Sequence, residues 1–93
     1  MAGQKKNLQI SISGRVQGVG FRYSAVHKAQ QLGIKGFVKN MYDGSVFIEA
    51  EADEISMDHF LIWCNKGPSF SRVEKVSTIE GTVKNYTSFT VKH

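Results

Sequence analysis

From Leu8 the chain alternates. Leu8, Ile10 and Ile12 are apolar, and Gln9, Ser11 and Ser13 are polar. A period of two puts every second side chain on one face, so this stretch is predicted to be a strand buried on one side. The period then changes. Phe21, Ala25, Val26, Ala29 and Leu32 recur at helical spacing, and Gly33 stands where the helix should end. Between them, Gly14 to Gly20 holds three glycines in seven residues and reads as a loop. Residues 37–42 and 45–52 are strand-like and flank Asp43-Gly44. That dipeptide predicts a hairpin with a type I′ turn, which needs positive φ at both positions. A second helix is expected next, capped by Asp53, buried along Met57, Phe60, Leu61 and Cys64, and stopped by Gly67-Pro68. Weaker strands follow near residues 72–80 and 86–92. Residues 1–7 are polar and expected to fray.

The order is βαββαβ with a short extra strand. It predicts an α+β fold: a ferredoxin-like two-layer sandwich, with a mainly antiparallel sheet and two helices on one face. Such a fold hosts many functions and decides none. At 93 residues, the chain is expected to be one domain over 1–93 with a modest core. An apolar fraction of 41% with 22% charged residues excludes a disordered or low-complexity chain. No apolar run approaches the ~18 residues of a membrane span. A lone cysteine, Cys64, excludes an internal disulfide and a cysteine-cluster zinc site. With no export signal evident, a cytoplasmic monomer is expected.

Charge adds asymmetry. Residues 1–42 carry Lys5, Lys6, Arg15, Arg22, Lys28, Lys35 and Lys39 and no acid. Residues 43–58 carry Asp43, Glu49, Glu51, Asp53, Glu54 and Asp58 and no base. The first block suggests an anionic partner; the second reads as a solvated hairpin rim and helix start.

Residues 14–22, Gly-Arg-Val-Gln-Gly-Val-Gly-Phe-Arg, sharpen the choice of anion. They join a strand to a helix N-terminus, whose first N–H groups lack internal partners and carry partial positive charge. Gly18 and Gly20 allow those N–H groups to converge into a nest for a tetrahedral oxyanion. Arg22, in the first helical turn, is able to grip phosphate with two parallel hydrogen bonds. A cation at that end costs a bare helix roughly 0.3–1 kcal/mol, so its position makes better sense with an anion alongside. The stretch is neither a Walker loop, lacking Gly-Lys-Ser/Thr, nor a dinucleotide fingerprint. Read alone, a glycine-rich turn with two surface arginines remains open.

The segment resembles the acylphosphatase signature Gly-x-Val-Gln-Gly-Val-x-Phe-Arg. A second family signature appears as Gly36-Phe37-Val38-Lys39-Asn40, followed by Asp43-Gly44-Ser45-Val46. Phe60-Leu61, Trp63, Gly67-Pro68 and Arg72-Val73 also match, so the resemblance spans about residues 8–92. Ala52 and Ser71 depart from common family residues, outside both signatures.

The resemblance implies metal-independent hydrolysis of small acyl phosphates to a carboxylate and inorganic phosphate, with no cofactor. It implies Arg22 and Asn40 as catalytic residues, Asn40 orienting the water. Backbone N–H groups of Arg15, Val16, Gln17, Gly18, Val19, Gly20 and Phe21 are expected to form the phosphate cradle. His27, His59 and His93 show no metal spacing and read as surface residues. Cys64 reads as a buried structural thiol. Two rivals remain. An RNA-recognition module is also βαββαβ and basic, and Lys35-Gly36-Phe37-Val38 echoes part of its aromatic motif, but on the second strand rather than the third. A non-catalytic copy of the fold is the other, since similar domains occur in large carbamoyl-transferring maturation proteins. Neither nucleic acid nor membrane is expected as partner.

Overall fold

The computed structural model describes residues 4–93. Strand β1 (Lys6–Arg15) leads to helix α1 (Phe21–Leu32). The hairpin β2 (Lys35–Asn40) and β3 (Val46–Ala52) leads to α2 (Glu54–Lys66), then β4 (Arg72–Gly81) and β5 (Phe89–Val91). The sheet order is β4-β1-β3-β2-β5. Every pairing is antiparallel except β2 with β5. This is the expected ferredoxin-like arrangement.

Register explains the core. Ile10 lies opposite Ile48, Ile12 opposite Val46, and Val38 opposite Ile48 on the other side. These residues share one sheet face with the buried Phe21, Ala25 and Ala29 of α1 and Met57, Phe60 and Cys64 of α2. Asp53 caps α2 as expected, its carboxylate accepting from the Ser56 N–H at 2.8 Å. Gly33 ends α1 in the left-handed region, donating its N–H back to the last turn.

Three expectations need correction. Residues 1–7 do not fray as a block: β1 begins at Lys6, and Asn7 is buried. Residues 1–3 of that stretch lie outside the described residues. The hairpin turn is not type I′, because Asp43 keeps negative φ and Gly44 alone is left-handed, at φ 93°. The Gly44 N–H donates to the Met41 carbonyl at 3.1 Å, and the Met41 N–H to the Ser45 carbonyl at 2.8 Å. The Asp43 carboxylate accepts from the Ser45 N–H and hydroxyl, fixing a type I turn closed by a left-handed glycine. The acidic block is not wholly solvated. Glu49 and Glu51 are buried, because residues 82–88 cross the sheet face away from the helices and cover them.

Candidate active site

Phe21 fixes where α1 starts. It is buried, with its ring 5.3 Å from that of Trp63 on α2. Val16, also buried, ties the other end of the loop to the core. Between these anchors Gly18 and Gly20 take φ of 73° and 78°. An added Cβ at either would meet nothing within 4 Å, so the demand for glycine there is conformational, not steric. Gly20 is the N-cap of α1, has no side chain to cap with, and no acid follows in the first turn. The leading amides and the positive end of the helix dipole are therefore left to any anion that binds. Gly20→Ala should cost about 1–2 kcal/mol, the left-handed penalty for a residue with Cβ. Urea denaturation measures it, and a wild-type midpoint would remove the argument.

Asn40 arrives from the other side. It is the last residue of β2, paired with Val46, and the hairpin turn begins directly after it. The two sides are joined by Gln17. Its amide Nε2 donates to the Met41 and Ser45 carbonyls, each at 2.8 Å. The glycine loop is thus clamped to the hairpin that carries Asn40.

The result is a cavity of about 90 Å³ bounded by Val16, Gly18, Gly20 and Phe21 of the loop, Arg22 and Tyr23 of α1, and Asn40. It is well below the roughly 300–1,000 Å³ of pockets for drug-sized ligands, so it suits a phosphoryl group rather than a nucleotide. No acid borders it. The ion pairs among the described residues are Lys6–Glu54 and Lys84–Glu49; Arg22 takes part in neither. The Asn40 Oδ1 is buried and has no hydrogen-bond partner among the described residues. A buried amide oxygen without a partner is costly and calls for an explanation; the Asn7 Oδ1 is in the same condition outside this cavity.

Arg22 and Asn40, far apart in sequence, therefore face one cavity. Of the seven expected cradle residues, Val16, Gly18, Gly20 and Phe21 border it. Arg15, Gln17 and Val19 do not: Arg15 ends β1 opposite Arg72, Gln17 is the clamp, and Val19 packs against the core. Two features escaped the sequence reading, Tyr23 as a wall and the Gln17 side chain as a clamp. Tyr23 could have been suspected from its place in the first turn beside Arg22. The Gln17 contacts span the whole β2–β3 turn and leave no local signal.

Other candidates fall away. Cys64 is buried, and burial pushes its thiol up to about 12, so it is no nucleophile near neutrality. His27 and His59 are exposed on the helices. Phe37, which an RNA-stacking sheet would need exposed, is 6% exposed and lies edge-on to Tyr86.

The acylphosphatase family model matches residues 8–91. An acylphosphatase of Thermotoga maritima is 50% identical over 88 residues, which cover 95% of this chain and 98% of that one. The crystal structure of acylphosphatase from Bacillus subtilis superimposes with a TM-score of 0.92 at 35% identity, covering 95% of this chain and 99% of that one. A full-length HypF structure, in a phosphate- and nucleotide-bound form, matches at TM-score 0.89 and 31% identity. It covers 100% of this chain but 12% of HypF.

Proposed function

The chain belongs to the acylphosphatase family, and on that premise we propose that Arg22 and the loop amides at the cavity, those of Val16, Gly18, Gly20 and Phe21, hold the phosphoryl group while Asn40 orients the attacking water. The reaction is hydrolysis of the carboxyl–phosphate bond. The water oxygen bonds to phosphorus, and the bond from phosphorus to the acyl oxygen breaks. Its electron pair leaves on the carboxylate, and the water's proton passes to a phosphate oxygen or to solvent. A carboxylate leaving group, of conjugate-acid pKa about 4, needs no general acid. The transition state is loose, so the work is positioning and charge stabilisation. The guanidinium and the N-terminus of α1 supply that field without a metal or cofactor. An amide suits the water side, because its Oδ1 accepts a hydrogen bond without adding negative charge beside phosphate.

The observation that supports this most is that Asn40, whose Oδ1 is buried and unpartnered, borders the same cavity as Arg22. Asn40→Ala should lower kcat for benzoyl phosphate about 100-fold, the usual loss for one positioned polar group. Inhibition by inorganic phosphate should be retained, and a chelator should leave wild-type turnover intact. Wild-type kcat in the variant sinks the water role; loss of turnover in chelator sinks the metal-free mechanism. The same reading takes residues 1–93 as one acylphosphatase-like domain, acting as a cytoplasmic monomer on free acyl phosphates. It invokes no nucleic acid or membrane partner. No helix among the described residues is long and apolar enough to cross a membrane.

A further inference from the structure

A second cavity, of about 400 Å³, lies between α1 and β5 and shares Arg22 and Tyr23 with the phosphoryl cavity. Val26 of α1 and Val91 of β5, both half-buried, form its apolar floor; Thr90 and His93 complete it. We propose that this cavity is the acyl subsite and that it accepts an apolar acyl group, aroyl or aliphatic. The proposal rests on the phosphoryl group lying against Arg22.

Reaction geometry selects this cavity over its neighbours. In-line displacement puts the entering water and the departing carboxylate on opposite sides of phosphorus. Asn40 borders the phosphoryl cavity but not this one, so a carboxylate leaving into it departs away from the water. The groove beside Lys39, Met41 and Tyr42 shares only His93 with the chosen cavity and includes Asn40, which puts it on the water's side. The broad groove between α1 and α2, near Trp63 and Pro68, meets the phosphoryl cavity at Tyr23 alone. At the chosen junction Arg22 belongs to both cavities, so its guanidinium donors serve phosphoryl and carboxylate oxygens together. Beyond that junction Val26, Val91 and the Tyr23 ring stand beside the polar Thr90 and His93, and the apolar part of the lining rewards burial of a hydrocarbon group.

The test compares benzoyl phosphate with acetyl phosphate, and measures inhibition by inorganic phosphate alongside. Val26→Phe fills the floor. It should lower the ratio of kcat/KM, benzoyl over acetyl, about tenfold, the scale of a lost apolar pocket contact. Val91→Ala removes a floor contact at a half-buried residue that does not border the phosphoryl cavity, and the ratio should fall about threefold. Should Val26→Phe fail to fold, Val91→Ala decides. Inhibition by phosphate should stay at the wild-type level in both. An unchanged ratio overturns the subsite. So does a fall accompanied by lost phosphate inhibition, since the cavity would then be part of the cradle. Failure of the underlying phosphoryl reading shows elsewhere, as wild-type phosphate inhibition in Arg22→Ala.

Discussion

Arg22→Ala is expected to lose about a thousandfold or more in kcat/KM for an acyl phosphate, in the range of other arginines that stabilise phosphoryl transfer. Inhibition by inorganic phosphate should vanish with it. The cause is specific to the site: among the described residues, Arg22 is the only charged side chain bordering the phosphoryl cavity. Arg22→Lys should recover only part of the loss, because an ammonium keeps the charge but not the planar fork. Stability should move the other way. A cation in the first turn of α1 opposes the helix dipole, so its removal should stabilise the unliganded protein by roughly 0.3–1 kcal/mol. A variant that is inactive yet melts slightly higher separates a binding role from a structural one. Phosphate inhibition at the wild-type level, or a destabilised variant, would sink the assignment.

Much of this site was legible because its signals are local. Three glycines ahead of a helical period mark the loop, and Arg22 stands at a fixed distance from them. Alternation at Leu8, Ile10 and Ile12, and the stripe at Met57, Phe60 and Cys64, fixed the two layers because each face had to be buried. Asn40 was different. Nothing in its own neighbourhood points to chemistry, and only the resemblance singled it out; its unpartnered Oδ1 appears once β2 lies beside the loop. The turn at Asp43-Gly44 was misread because the Asp43 carboxylate bonds Ser45 and stabilises a conformation that backbone rules alone do not favour. Glu49 and Glu51 were misread for a related reason. Acidic residues alternating with Ile48 and Ala50 look like the wet face of a strand. What covers them is a segment more than thirty residues further along.

That covering segment carries the largest stability effect expected in the molecule. Glu51 is 1% exposed and accepts hydrogen bonds from the Asn7 amide and from the backbone N–H groups of Lys84 and Tyr86. Glu49 accepts from Asn7, from the Lys84 ammonium and from the Tyr86 hydroxyl. Two neighbouring carboxylates would repel. The Asn7 Nδ2, with one hydrogen for each, and Lys84 hold them together. Burial pushes both carboxyls up, but these donors more than offset it, leaving both below the ordinary value of 4.5. A lowered native value means that the stabilisation is fully present above about pH 4.5 and is lost as pH falls through the native value. Wild-type stability should therefore decline steeply on the acid side.

Glu51→Gln should cost about 3 kcal/mol at pH 7, because its NH2 cannot accept and two buried backbone donors compete for what remains. Its acid limb should also be shallower than that of the wild type. Lys84→Met should cost much less than Glu51→Gln, since that ammonium is half exposed and water replaces much of its attraction. Urea denaturation between pH 3 and 8 compares the three proteins. Equal losses in the two variants, or an unchanged acid limb in Glu51→Gln, would show that the strap is not held by its buried carboxylate. The strap leads into β5, which pairs with β2, the strand ending at Asn40; the Lys92 N–H also donates to the Val38 carbonyl at 2.9 Å. Activity in Glu51→Gln should consequently fall with the folded fraction as pH drops, while its kcat per folded molecule at pH 7 stays near that of the wild type.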